Sequence, residues 1–216
     1  MALLIPIASS RAEERVGLLS RLQAGEKQTI VTYGTSLTAG GAWVQQLQAA
    51  LDEKFPRLAT VINSGEGGMW SKWGVEHLEE RVIQKRPDVV FIEFGMNDAY
   101  LDYNTTVDDC RRNLTYMIDR ILRARPGCQI ILMTMNPPTG EHLLKRPRFK
   151  EYYDVYREIA KHRELLLIDH DVNWEKLLKE DEKTFRKYVP DGIHPDALGC
   201  EKVITPQILL SLGMRS

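Results

Sequence analysis

The chain has 216 residues, 29 Lys and Arg against 30 Asp and Glu, a net charge of −1 and 43% hydrophobic content. At roughly 150 residues per domain it reads as one domain, long enough to bury about 70% of its unfolded surface and to fold without disulfides or metal. The near-neutral charge argues against a general electrostatic hold on nucleic acid or anionic membrane, and no stretch approaches the ~20 apolar residues of a membrane span.

Residues 1–10 are mostly apolar, but no basic segment precedes them and Pro6 interrupts the run. They do not read as a secretory signal, which favours the cytoplasm; a trimmed leader would instead imply a secreted or periplasmic protein. Residues 1–27 are expected to form a helical extension packed on a single domain spanning 1–216. Five short apolar runs follow, at Thr29–Tyr33, Ala59–Asn63, Asp88–Phe94, Gln129–Met133 and Leu165–Asp169. Most are rich in β-branched residues and lack alternation, as suits strands covered on both faces of a parallel sheet.

Helical patterns lie between the runs. One takes in Trp43, Val44, Leu47, Ala50 and Leu51. A second steps through Val107, Cys110, Leu114, Met117, Ile118, Ile121 and Leu122, with Thr105 or Thr106 as its cap and Pro126-Gly127 as its stop. The tail from Ala197 to Leu212 reads as a closing helix. Strands alternating with helices predict right-handed crossovers and an α/β fold, a three-layer α/β/α sandwich around a mostly parallel five-stranded sheet. Cys110, Cys128 and Cys200 show no CxxC or zinc spacing and read as reduced, buried thiols.

In such sheets ligands bind beyond the carboxyl ends of the strands. The first run leads into Gly34–Gly41, the second into Asn63–Ser71, the third into Gly95-Met96-Asn97-Asp98, and Asp191-Gly192-Ile193-His194-Pro195 stands near the C-terminus. Together they offer a hydroxyl, glycine amides, a carboxamide, a carboxylate and an imidazole, the groups acyl transfer requires. A serine becomes a nucleophile when an imidazole takes its proton and a carboxylate holds the correct tautomer. Ser36 can be that nucleophile, His194 the base and Asp191 its orienter. A three-residue separation would bring the last two together across one helical or 3₁₀ turn. The amides of Ser36 and Gly68 with the carboxamide of Asn97 would receive the oxyanion. Glycine suits position 68 if a Cβ there would crowd the substrate.

These four segments resemble those of the SGNH hydrolases, the GDSL esterase and lipase superfamily. Ser36 matches the family serine, Gly68 the glycine (Gly65 and Gly67 being the alternatives in the same loop), Asn97 the asparagine of Gly-x-Asn-Asp, and Asp191 and His194 the Asp-x-x-His pair. Order and spacing agree from about Thr29 to the end. The resemblance implies a flavodoxin-like sandwich, ester hydrolysis through an acyl-serine, a small-molecule ester as partner, and no metal or organic cofactor. Thr35 stands where the family usually has Asp, which bears on the loop geometry more than on the mechanism.

Trp70, Tyr100 and Tyr103 lie close in sequence to the proposed oxyanion donors and are candidates for an acyl pocket or a sugar-stacking surface; ordinary packing is the alternative. Asp169-His170-Asp171 does not share one face of a strand and is not read as a metal site. Asn136–Lys150, with Lys145, Arg146, Arg148 and Lys150, reads as a basic loop, either solvated surface or a lid. The expected activity is hydrolysis of short, acetyl-type esters, with an acetylated carbohydrate as one candidate substrate. Two other readings compete. Gly34–Gly41 could cradle a phosphate in a flavodoxin-like nucleotide-binding module, or the chain could be an inactive relative that binds carbohydrate.

Overall fold

A computed structural model describes residues 17–214. The five runs form β1 (Gln28–Gly34), β2 (Ala59–Asn63), β3 (Val89–Glu93), β4 (Gln129–Thr134) and β5 (Leu166–Asp169). All neighbouring pairs are parallel and the order is β2-β1-β3-β4-β5, the flavodoxin-like arrangement whose direction of winding reverses between β1 and β3. Burial on both faces holds for β3 and nearly so for β1 and β4. It does not hold for β2 and β5, which are half-exposed because each is an edge with a neighbour on one side only.

The N-terminal expectation is tested only in part. Residues 1–16 lie outside the described residues, and α1 (Leu18–Gln23) follows with Leu18 and Leu22 buried. The Leu18 amide donates to Gln129 Oε1 (2.8 Å) and Arg21 to the Gly127 carbonyl (2.8 Å), which ties α1 to the start of β4.

On one face of the sheet, α2 (Trp43–Lys54) packs against the C-terminal helical segment. On the other, the helix Ser71–Glu76 meets α3 (Val107–Ala124), which packs in turn on α4 (Phe149–Arg163). The cap of α3 is Thr106. Its hydroxyl accepts from the Asp109 amide (3.0 Å), while the Asp109 carboxylate accepts from the Thr106 amide (3.0 Å), a reciprocal capping box. Beyond β5 runs α5 (His170–Glu180). The chain closes through Ala197–Gly199, a π-type stretch Cys200–Ile204, and α6 (Thr205–Ser211). The wide turns precede Pro206, which lacks an N–H and would crowd the carbonyl four residues back in a regular α-helix.

The core holds Tyr33, Trp43, Phe91, Phe94, Tyr156 and Trp174, all nearly inaccessible. The three cysteines are buried and unpaired.

Candidate active site

The carboxyl ends of β1, β2 and β3 adjoin the point where the winding reverses, and the loops after them bring the sequence-derived groups together. Thr35 ends the extended backbone and opens a four-residue helical turn, Ser36–Ala39, its hydroxyl accepting from the Leu37 amide (3.1 Å). Ser36 thus stands, half-buried, at the start of that turn. Its Oγ lies 2.8 Å from His194 Nε2, and His194 Nδ1 lies 2.6 Å from Asp191 Oδ2. With the carboxylate accepting from Nδ1–H, Nε2 presents its lone pair to the serine hydroxyl, so Ser36 donates.

The Asp191–His194 pair is not joined by a helical or 3₁₀ turn. Asp191 Oδ1 accepts from the amides of Ile193 (3.0 Å) and His194 (2.7 Å), a side-chain-closed turn. Gly192 within it has φ +88°, a conformation that excludes a right-handed helix. The turn is anchored where the Thr139 amide donates to the Gly192 carbonyl (2.8 Å) and Asn136 Nδ2 to the Ile193 carbonyl (3.0 Å). Burial alone would raise the Asp191 carboxyl; the two amides and the His194 ring outweigh it and hold it at about 2. Asp191 is therefore ionised at neutral pH.

The other half of the site is built on the turn Gly95–Asp98. Asn97, only 5% exposed, donates from Nδ2 to the Met69 carbonyl (2.9 Å) and accepts at Oδ1 from Arg146 Nη2 (3.2 Å). These partners fix which end of the carboxamide is nitrogen and leave it a second N–H. The Met69 bond also sets Asn97 beside Gly68. In that loop the Gly65 amide is taken by Asn63 Oδ1 (3.1 Å) and the Glu66 amide by the Gly34 carbonyl (3.0 Å). Among the described residues, the amides of Ser36, Gly67 and Gly68 donate to no protein acceptor. Glycine at position 68 has a different cause from the crowding expected: φ is +73°, while an added Cβ would meet only Tyr103 Oη, at 3.7 Å.

Two buried carboxylates support these loops. Glu93, at the end of β3 and 2% exposed, receives the Thr35 amide (2.8 Å), the Thr35 hydroxyl (2.9 Å) and the Thr38 hydroxyl (2.8 Å) at Oε1. Burial pushes it up to about 7 against those donors. Thr35, the departure from the family pattern, therefore joins the Ser36 turn to β3. Asp98 Oδ1 accepts from the Ser71 amide (2.8 Å) and so caps the helix Ser71–Glu76 from a distant segment. Burial pushes Asp98 up to about 6 against the Ser71 amide and the Cys110 thiol. The charge at the end of the third apolar run was the one sequence signal for Glu93. The residue that Asp98 caps lies 27 residues earlier, a pairing no local pattern signals.

A cavity of about 300 Å³ opens beside Ser36, with Leu37, Ala39, Gly41, Pro195, Cys200 and Ile204 among its walls. Trp70, Tyr100 and Tyr103 do not line it. They gather beside Gly68 instead: Trp70 stacks on Tyr103 with centroids 4.5 Å apart, Tyr100 meets Tyr103 edge-on at 5.0 Å, and the Tyr103 hydroxyl donates to the Gly68 carbonyl (2.5 Å). The basic stretch is not one open loop. It contains the helical turn Glu141–Leu144, where His142 sits, and α4 begins at Phe149. Lys145 and Arg148 are exposed, but Arg146 is 7% exposed and reaches Asn97. Asp169 and Asp171 bind Arg157 (2.8 Å each), and His170 Nδ1 lies 2.8 Å from Gln207 Oε1.

Comparison with known proteins matches residues 31–202 to the model of the GDSL-like Lipase/Acylhydrolase family. The chain belongs to this family. An arylesterase of Vibrio mimicus is 29% identical over 180 residues, spanning 80% of this chain and 82% of the relative. A GDSL esterase/lipase of Arabidopsis thaliana is 28% identical over 193 residues, spanning 76% and 77%. Among solved structures, the lipase/acylhydrolase of Enterococcus faecalis superposes with TM-score 0.72 at 28% identity, over 86% of this chain and 95% of its own. An acetyl xylan esterase of Geobacillus stearothermophilus shares the fold, with TM-score 0.75 at 22% identity over 88% and 97%. This GDSL-family chain is a serine ester hydrolase acting on small ester substrates. Among the described residues no helix is long and apolar enough to cross a membrane. Family membership displaces the phosphate-cradle reading of Gly34–Gly41, which gave His194 and Asn97 no task.

Proposed function

We propose that Ser36 is the nucleophile, His194 the general base and Asp191 its orienter, and that the substrate is a short-chain, acetyl-type ester of a polar alcohol. The observation behind this reading is the 2.8 Å approach of Ser36 Oγ to His194 Nε2, with the Asp191 carboxylate behind Nδ1. His194 takes the hydroxyl proton as Oγ attacks the acyl carbon. The oxyanion accepts from the amides of Ser36 and Gly68 and from the free N–H of Asn97. Collapse of the tetrahedral intermediate expels the alcohol with the proton from His194 and leaves an acyl-serine. Water, deprotonated at the same nitrogen, then releases the acid and restores Ser36.

The preference for small acyl groups is supported by the size of the cavity beside Ser36, about 300 Å³, at the small end of ligand pockets. The acetylated-carbohydrate option has the stacked Trp70–Tyr103 pair as a flat aromatic platform near Gly68 and a fold shared with an acetyl xylan esterase. Release of p-nitrophenol from acetyl, butyryl and octanoyl esters, by wild type and Ser36→Ala, tests the reading. Wild-type kcat/KM should be highest for acetyl and fall with chain length, and Ser36→Ala should abolish turnover. Octanoyl preference would overturn the acyl assignment, and an active Ser36→Ala would overturn the mechanism. Acetate release from acetylated xylo-oligosaccharides tests the carbohydrate option.

A further inference from the structure

Arg146 is a buried cation with an unusual set of partners. Its Nε donates to the Met96 carbonyl (3.0 Å) and its Nη2 to Asn97 Oδ1 (3.2 Å), while Nη1 lies 3.5 Å from His142 Nδ1. These are its only side-chain hydrogen-bond partners among the described residues, and none is a carboxylate. The guanidinium carbon sits 4.7 Å from the centre of the Tyr100 ring, which covers it as a cation–π partner. The backbone holds the segment in place, with the Leu101 amide donating to the Lys145 carbonyl (3.1 Å) and the Arg146 amide to the Leu143 carbonyl (2.9 Å). An arginine buried to this extent normally has an anionic partner, because desolvating a charge is costly. Here the charge lies at the far end of the carboxamide that faces the reacting centre.

We propose that Arg146 is a positioning residue of the oxyanion hole, holding the Asn97 carboxamide in its donating orientation and polarising its N–H toward the oxyanion. The inference rests on the proposed role of Asn97. The planar guanidinium forks across two successive residues, taking the Met96 carbonyl and Asn97 Oδ1 together, so Asn97 cannot rotate without breaking both its Arg146 and Met69 bonds. A flipped carboxamide would turn its NH₂ toward the cation and its oxygen toward the Met69 carbonyl, both repulsive. The bond from a positive charge acts where the dielectric is low, so it polarises the Asn97 carboxamide and makes its N–H a stronger donor to the substrate oxygen. Among the four cations of the basic stretch, Arg146 is the buried one.

The test is a double-mutant cycle on the full chain with p-nitrophenyl acetate, using Arg146→Gln, Asn97→Ala and their combination, with Arg146→Lys as a second probe. Asn97→Ala should lower kcat on the order of 10²–10³-fold. Arg146→Gln should lower kcat by about 10- to 100-fold, the scale of a hydrogen bond from a charged group, with KM changed less than about threefold. Arg146→Lys keeps the charge but cannot fork across two oxygens, so it should fall between Arg146→Gln and wild type. The double variant should be within about threefold of Asn97→Ala alone, because Arg146 acts through Asn97. A merely structural arginine would lower the melting temperature but multiply its loss onto that of Asn97→Ala. Full multiplication, or wild-type kcat in Arg146→Gln, overturns the proposal. If Arg146→Gln does not fold, Arg146→Lys decides: reduced kcat at normal KM, absent from the Asn97→Ala background, supports the fork, and wild-type kcat overturns it. An Asn97→Ala enzyme with undiminished kcat would instead refute the oxyanion role of Asn97 itself.

Discussion

The two halves of the site are built differently. Asp191 and His194 have side chains 49% and 45% exposed and are held by a turn closed within four residues. Asn97, Asp98 and Arg146 are 5%, 0% and 7% exposed and are held by contacts between segments far apart in the chain. On the proposed mechanism, the proton-moving half needs a local, solvent-facing turn, because the imidazole must exchange protons with substrate and water. The proposed oxyanion half gains from burial, since a preorganised donor is worth more where water cannot screen it. A short local motif therefore suffices for the first, while the second depends on the whole α/β framework.

The sharpest way to break this comparison is at the exposed half. Ser36→Ala or His194→Ala should lower kcat by roughly 10³- to 10⁶-fold. Both sit at the surface of the site, so thermal unfolding should move by no more than a few degrees, as calorimetry would show. A large stability loss would mean that the catalytic turn also holds the fold together. Asp191→Asn comes next, at on the order of 10²- to 10⁴-fold in kcat. Its amide oxygen can keep both backbone bonds of the turn, which share Oδ1, but the charge behind Nδ1 is lost. Equal kcat for Asp191→Asn and wild type would show that the turn geometry alone orients the imidazole.

On the buried side, pH reads out burial directly. Glu93 is pushed up to about 7 from an ordinary 4.5, so across that window the folded chain keeps a proton that the unfolded chain has released. Its contribution is most favourable below pH 4.5 and is lost as pH rises toward 7, by on the order of 1–3 kcal/mol. Glu93→Gln cannot ionise and lacks this loss. The melting temperature of the variant minus that of wild type should therefore rise between pH 4.5 and 7. A difference that stays flat would mean that Glu93 ionises as readily in the folded chain as outside it. The smallest effect is expected at Tyr103→Phe, which removes the hydroxyl bond to the Gly68 carbonyl but leaves the stack on Trp70. A loss in kcat of less than about tenfold is expected; a larger one would make the ring cluster part of the rigid half.

What the sequence determined by itself was the repeating and the local. Five apolar runs gave five strands within about two residues of their ends, and the 3.6-residue pattern with Thr106 and Pro126 bounded α3. Ser36, Asn97, Asp191 and His194 stood out as candidates because each sits in a short turn-forming segment, two of them just after a strand and two in a self-closing turn. The tertiary structure decided everything that depended on burial or on distant partners. A charged residue looks the same in a sequence whether it is solvated or enclosed, so nothing separated Arg146 from Lys145 and Arg148. The fold did, by bringing it to Asn97 across 49 residues. Glu93 meets Thr35 across 58 residues for the same reason: adjacent parallel strands place their carboxyl ends together, however long the crossover between them. Gly192, too, reads as a turn residue either way, but only its left-handed backbone shows that the Asp191 carboxylate, not a helix, closes the turn. Local pattern fixes which residues can act, and packing fixes which of them are dry, charged and aimed at one another.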